Sequence, residues 1–528
     1  MIRYLIVGVL ALAALAATVL LAVLTSAWWW FLAAPLLVAA ATGGYDITQQ
    51  RHSILRNYPI LGHARFALEA LRPELQQYFI ERNFDGRPYD RDVRSIVYQR
   101  AKGTDAEEAF GTERDVYADG AEYLVHSMAP VPEPDATPKV RIGGPDCTKP
   151  YDMALLNVSA MSFGALSSNA ILALNKGAAL GGFAHDTGEG GLSEYHLRNG
   201  GDLIWEIGTG YFGCRTPGGG FDADTFADKA AQDSVKCVSI KLSQGAKPGI
   251  GGVLPGPKVN AEIARVREVP QGRTVISPPY HRAFSSPREL VTFVARLREL
   301  AKGKPVGFKL CVGSRQQFLA VCKAMLAEGV TPDFIVVDGS EGGTGAAPLE
   351  FADQVGMPLT EGLITVHNAL VGTGLRDRIK LGASGKVATG SDIVKRLIQG
   401  ADYTNAARAM MFALGCIQAQ RCHTNTCPVG VTTQDPLRAR ALDVPDKSLR
   451  VQRFQASTVA SSVRLMASMG LRDPARLRPD MLHRRVDPTT VRSYAELYEW
   501  LGDGELVADC PSTWAADWSA AHPDSFAS

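Results

Sequence analysis

The stretch Phe334-Ile335-Val336-Val337-Asp338-Gly339-Ser340-Glu341-Gly342-Gly343-Thr344-Gly345 joins a short apolar run to an acidic, glycine-rich cluster. A run this short, bounded by turn residues, reads as a strand buried on both faces. The same design recurs along the chain. Strands are predicted at 155–160, 182–185, 203–207, 235–242, 306–312, 334–337, 379–383 and 403–406. Helical patterns separate several of them, as at Asn169–Ala179, Pro287–Ala301 and Gln316–Glu328. Strands alternating with helices imply a parallel sheet, and eight repeats imply a closed (β/α)8 TIM barrel.

Nearly every predicted strand ends in such a cluster. Met161-Ser162-Phe163-Gly164-Ala165 follows the first and Thr187-Gly188-Glu189-Gly190-Gly191 the second. The fourth ends at Lys241 and runs into Gln244-Gly245-Ala246-Lys247-Pro248-Gly249, and Ser384-Gly385 follows the seventh. In a barrel these are the C-terminal strand ends, where active sites are assembled. Glycines let a flat or phosphorylated ligand approach the backbone. Ala383–Asp392 opens a helix, and with Ala407-Arg408 it matches the phosphate site that barrels often build after strands seven and eight. Gly208-Thr209-Gly210-Tyr211-Phe212-Gly213 also spells G-x-G-x-x-G, but no mononucleotide unit surrounds it, which argues against a dinucleotide site.

The chain has 528 residues, 46% of them hydrophobic, and a net charge of +1, so nothing draws it to nucleic acid. Three of its nine cysteines, Cys416, Cys422 and Cys427, fall within twelve residues. Three clustered thiolates, with Pro428 after the last, suit an iron–sulfur cluster. Zinc with His423 as fourth ligand and a buried structural trio are the competing readings. From Tyr4 to Tyr45 no residue is charged. Two spans, roughly 4–24 and 28–45 with Thr25-Ser26 as the turn, each approach the ~20 residues that cross a bilayer. Trp28, Trp29 and Trp30 would lie at the interface. Arg3, Arg51 and Arg56 at the outer ends would place both ends, and the catalytic body, on the cytoplasmic side of the cytoplasmic membrane. An uncleaved signal or a buried helical pair is the alternative. The expected organisation is a transmembrane hairpin (1–45), a helical region and linker (46–135), with Pro73 opening one helix, a barrel (136–440) carrying the cysteine segment 416–427, and a helical C-terminal region (441–528).

Several motifs together resemble the FMN-binding synthase domain of the glutamate synthase family. They are Ala160–Ser167, Thr187–Gly191, Gln244–Gly249, Leu254-Pro255-Gly256, Ile276–Pro279, Asp338-Gly339 with Glu341–Pro348, and the cysteine run. The hairpin and the Arg51–Lys102 segment look like a membrane-attached, stand-alone branch. The resemblance implies an oxidoreductase acting on CH–NH2 groups, with FMN in the barrel and a 3Fe–4S cluster on Cys416, Cys422 and Cys427. Ser384, Gly385, Thr389, Gly390 and Arg408 would surround the FMN phosphate, with Met161, Ser162, Asp338, Gly342, Gly343 and Thr344 among the other cofactor contacts. Lys241 would face the flavin's polar edge. Lys247 and Arg267 would hold a 2-oxo acid, by family default 2-oxoglutarate on its way to glutamate, with Glu189 in the same pocket. The family pattern has polar residues where this chain has Ile250 and Val253, which points to a changed substrate. The chain offers neither a catalytic N-terminal cysteine for glutamine hydrolysis nor a pyridine-nucleotide domain. The amino group and the electrons are therefore expected from elsewhere, the latter from a ferredoxin-like or reductase partner. A membrane redox relay or an amine oxidoreductase with another substrate is the alternative.

Overall fold

The computed structural model describes residues 2–104, 107 and 109–527, and only the backbone of residues 2–7 and 10. The chain divides into two compact units, Met1–Arg91 and Asp92–Ser528.

In the first unit, helices Ile2–Leu24 and Trp30–Thr48 pack on each other around a turn at Thr25-Ser26. Ala27–Thr48 is long and apolar enough to cross a membrane. Its apolar side chains face outward: Trp28, Phe31, Leu37 and Val38 are all exposed. Asp46, at the far end of that helix, is fully buried and accepts hydrogen bonds from the Ile60 amide (2.9 Å) and from His63 (3.0 Å). Pro73 lies in the last turn of helix Leu61–Leu75 rather than opening a helix. A proline there removes one intrahelical bond, and the chain continues as the wide turn Gln76–Ile80.

The second unit is built on a closed eight-stranded parallel barrel. Its strands are β1 (Leu156–Val158), β2 (His185–Asp186), β3 (Leu203–Ile207), β4 (Val235–Lys241), β5 (Val306–Leu310), β6 (Phe334–Asp338), β7 (Lys380–Ser384) and β8 (Tyr403–Ala406). The eight-strand reading holds, and the helices fall within a few residues of expectation at Ser168–Gly181, Pro287–Leu300 and Arg315–Glu328. Each opens with a serine N-cap: Ser167, Ser286 and Ser314 accept from amides three residues on. β2 begins three residues later than expected because Gly182 (φ +64°) is the left-handed cap of the preceding helix.

The hairpin formed by Lys139–Ile142 and Tyr151–Ala154 closes the N-terminal end of the barrel. Its Ile142 and Met153 pack with Ala184, Ile204, Cys237 and Tyr403. The C-terminal region is not all helical. After the long helix Val444–Ser468, strands Leu482–Arg485 and Val491–Ser493 pair antiparallel with each other, and Glu122–Leu124 joins them. Strands of three or four residues leave too little alternation to read from sequence.

Candidate active site

A recess opens at the C-terminal end of the barrel strands, with an enclosed core of about 180 Å³ and about 970 Å³ counted to its open mouth. Lys241, Lys247, Arg267, Lys309 and Arg408 line it, against only two carboxylates, Glu189 and Glu206. An excess of cations in a sheltered recess favours anionic ligands. A larger cavity of about 680 Å³ lies between β4, β5 and helix Arg315–Glu328, lined by Leu242, Phe284, Phe308, Cys311 and Phe318. It is mostly apolar and lacks that cation set. The cations gather in the smaller recess.

Lys241 is the last residue of β4, and its Nζ lies 3.1 Å from Glu189 Oε1, with both side chains largely buried. Glu189 leaves no room at Gly252, where a Cβ would stand 2.1 Å from its Oε1. Burial opposes the Glu189 charge, but Lys241, Arg267 and Lys247 outweigh it and hold the carboxyl at about 2.

Lys247 donates to the Ala346 carbonyl at 2.6 Å, which ties the β4 loop to the β6 loop; Asp338 ties them again by accepting from the Gly245 amide at 2.8 Å. Arg267 ends helix Ala261–Arg267, donates to Ser162 Oγ (3.1 Å) and Phe163 O (3.0 Å), and stacks over Phe212. Its Nε is buried without a protein partner among the described residues. Such an orphaned donor suits a ligand oxygen. His281, absent from the sequence reading, braces the site by contacting Lys241 O (2.9 Å) and Tyr211 Oη (3.1 Å).

Burial, with Lys241 adding to it and Glu189 opposing, pushes Lys247 down to about 8. Its charge is complete well below that pH and is lost as pH rises through it. An anionic ligand held by Lys247 should therefore bind progressively more weakly above about pH 8. Lys247→Met should weaken binding roughly 10- to 100-fold, the scale of one charge-assisted contact, and abolish that pH dependence. Titration calorimetry across pH 7 to 10 checks both.

Of the sequence-predicted cofactor residues, Met161, Ser162, Lys241, Gly343, Thr344 and Arg408 line the recess. Asp338, Gly342, Ser384, Gly385, Thr389 and Gly390 lie outside its lining. Ser384 contacts Ser159 at 3.2 Å. Thr389 caps helix Gly390–Ile398 in a capping box, and Asp392 accepts the amides of Ala388 and Thr389 at 3.0 and 2.9 Å. Gly390 permits close helix packing, since a Cβ there would stand 2.6 Å from the Ser462 amide. Two of the amides expected for a phosphate are thus used by the helix's own carboxylate.

The cysteine loop runs beside the recess, which Cys422 lines. Gln418, Gln420 and Asn425 all adopt left-handed backbone conformations, with φ of 58°, 54° and 64°. Left-handed conformations are uncommon for residues other than glycine, and three in one short loop set this segment apart. Burial pushes the Cys416 thiol up to about 12. Burial also opposes a thiolate at Cys427, but hydrogen bonds from Thr432, Val429 and Val431 overcome it and lower the thiol. Tyr98 Oη donates to Cys416 O at 2.6 Å, holding the loop's start. Among the described residues, no three His, Cys, Asp or Glu side chains converge as a metal-holding group, and His423 is exposed. The donor chemistry suits thiolate ligation. The thiols are not gathered as in a preformed metal centre.

A parallel (β/α)8 barrel with a cation-rich recess at its C-terminal strand ends defines a barrel enzyme scaffold for anionic ligands. The chain belongs to the glutamate synthase family: the conserved region in glutamate synthase matches residues 141–472. The glutamate synthase large subunit-like protein YerD of Bacillus subtilis is 38% identical over 84% of this chain and 92% of its own length. An archaeal glutamate synthase [NADPH] of Methanocaldococcus jannaschii is 35% identical over 61% of this chain and 60% of that protein. The large chain of glutamate synthase [NADPH] from Azospirillum brasilense is 35% identical over 61% of this chain but only 21% of its own length. The chain thus covers less than two thirds of both named synthases. Among solved structures, a mandelate oxidase with benzaldehyde aligns with a TM-score of 0.43 and 14% identity over 76% of this chain and 98% of that one.

Proposed function

We propose that the chain is an FMN-dependent oxidoreductase of the glutamate synthase type that reductively aminates a 2-oxo acid, with 2-oxoglutarate to glutamate as the reference reaction. The observation that carries this reading is the buried Lys241–Glu189 pair at the end of β4, flanked by Lys247 and Arg267 in a recess with an excess of cations. FMN, when bound, supplies the hydride. Lys241 places positive charge where an electron-rich ring needs it, and Lys247 and Arg267 orient the substrate carboxylates. Met161, Ser162, Gly343, Thr344 and Arg408 are the recess residues that would hold the cofactor. Cys416, Cys422 and Cys427 would hold the iron–sulfur cluster that receives electrons from a partner protein. The exposed apolar side chains of Trp28, Phe31, Leu37 and Val38 support membrane attachment through residues 4–45, and Arg3, Arg51 and Arg56 at the outer ends support a barrel in the cytoplasm.

Val253 lines the recess, in a short strand pair with Ile276, where the family pattern has a polar residue. That favours a 2-oxo acid or amine other than the family's usual pair. With the photoreduced protein mixed anaerobically with a panel of 2-oxo acids and amines, the flavin should be reoxidised fastest by a substrate less polar than 2-oxoglutarate at the end facing Val253. Val253→Gln should shift preference toward 2-oxoglutarate by about tenfold, the scale of one hydrogen bond. No reoxidation by any of the panel would remove the enzyme reading.

A further inference from the structure

The interior of a barrel is normally filled by branched apolar side chains. Beneath this recess it is polar. Asp186 on β2, Glu206 on β3, Ser239 on β4, Lys309 on β5 and Asn405 on β8 are all at most 5% exposed. Glu206 and Ser239 are register partners, and Glu206 and Lys309 form an ion pair that lines the recess. Asp186 accepts the Gly188 amide at 2.9 Å and, among the described residues, forms no ion pair. Asp186 pairs in register with Ile204, two residues before Glu206 on the same face of the sheet, so two carboxyls and one ion-paired ammonium lie in a low-dielectric layer, where a second negative charge is opposed.

The surrounding groups agree. Burial first, then the Glu206 charge, raises Asp186 well above the usual carboxylate range, against the pull of Lys309, the Gly188 amide and Lys241. Burial works against the Lys309 charge, but Glu206, Asp186 and Asp338 together keep it protonated. Tyr403 on β8 also senses Asp186 and is held protonated, chiefly by burial. Ser239 Oγ, Asn405 Oδ1 and Tyr403 Oη are buried without protein partners among the described residues. Buried polar atoms of this kind are where proteins keep internal water.

We propose that Asp186 and Glu206, which face the barrel interior from adjacent strands, hold one exchangeable proton beneath the recess and deliver it to the substrate through Glu206. This rests on the reductive-amination reading. Ammonia adding to a 2-oxo carbon gives a carbinolamine, whose hydroxyl must leave as water. The C–O bond breaks with its electron pair going to oxygen, which takes the stored proton. The nitrogen lone pair forms the C=N bond, leaving an iminium for the hydride from reduced FMN. The two carboxylates beside Lys309 recover a proton from solvent when the site empties. Asp186 holds the proton and does not touch the substrate.

The test pairs two readouts on the full-length protein. Infrared spectroscopy should show a protonated carboxylic acid that disappears only at a pH well above the usual carboxylate range, is absent in Asp186→Asn, and disappears at lower pH in Glu206→Gln, where the neighbouring charge is gone. At saturating oxo acid, so that the Lys247 effect stays in the binding constant, flavin reoxidation should fall across the same pH range. It should be roughly 100-fold slower in Asp186→Asn, within the usual span of general acid catalysis. The absence of a titrating acid band, or its survival in Asp186→Asn, overturns the proton store. A band lost in Asp186→Asn with an unchanged reoxidation rate overturns delivery. No reoxidation in the unmodified protein overturns the reductive-amination reading and the delivery step with it, while the infrared band still decides the store.

Discussion

Lys241→Ala should slow reoxidation of the reduced flavin by the oxo acid and ammonium about 10²- to 10³-fold with FMN still bound, the range for losing one preorganised charge stabiliser. The reason is positional. Lys241 closes β4, its ammonium sits 3.1 Å from Glu189, and His281 fixes its carbonyl. Removing it also leaves Glu189 buried without its nearest partner, which costs about 3–5 kcal/mol of stability. The two effects separate in the double variant Lys241→Ala/Glu189→Gln. Thermal stability should recover there because no orphaned carboxylate remains, while the rate should stay low. Stopped-flow reoxidation with a melting curve on each variant checks this. An unimpaired rate in the single variant would remove Lys241 from the chemistry.

Cys427→Ala should abolish the proposed iron–sulfur centre outright. Cys427 is the buried member of the trio, and the amides around it already favour its thiolate. A cluster held by three thiolates does not survive the loss of one. Iron should fall from about three per chain to near zero. Cys416→Ala and Cys422→Ala should behave alike, and His423→Ala should leave iron unchanged, because His423 is exposed. Iron and zinc analysis of protein purified without oxygen, with electron paramagnetic resonance, reads the outcome. Zinc in place of iron, or metal loss in His423→Ala, would support the zinc site instead. FMN should stay bound in all four variants.

The barrel was legible because most of its strands are buried on both faces and several carry a near-continuous apolar run, as in Phe334–Val337. The boundary errors have local causes, such as Gly182 belonging to the helix before β2. The recess was legible in part. Glu189, Lys241 and Lys247 stand in glycine-rich clusters at strand ends, and the family resemblance drew in Arg267. Glu206 and Lys309 were overlooked because each sits inside an apolar strand, where a charge reads as an interruption. A charged residue within a strand otherwise built for burial was the available signal, since such a residue is seldom buried without a partner. Asp186 and His281 carried no comparable mark, because their surroundings are made by distant parts of the chain. Thr389 and Gly390 show the opposite case. Their pattern at a helix start serves phosphate binding, capping and close packing equally well, and the structure displays the capping and the packing.

The most direct test of the central claim is the visible spectrum of the anaerobically purified, detergent-solubilised protein, recorded with flavin analysis while oxo acid and ammonium are added to its reduced form. The account predicts one bound FMN whose bleached absorbance returns only when both substrates are present. A protein without flavin, or a reduced flavin that no oxo acid and amine reoxidise, would contradict it.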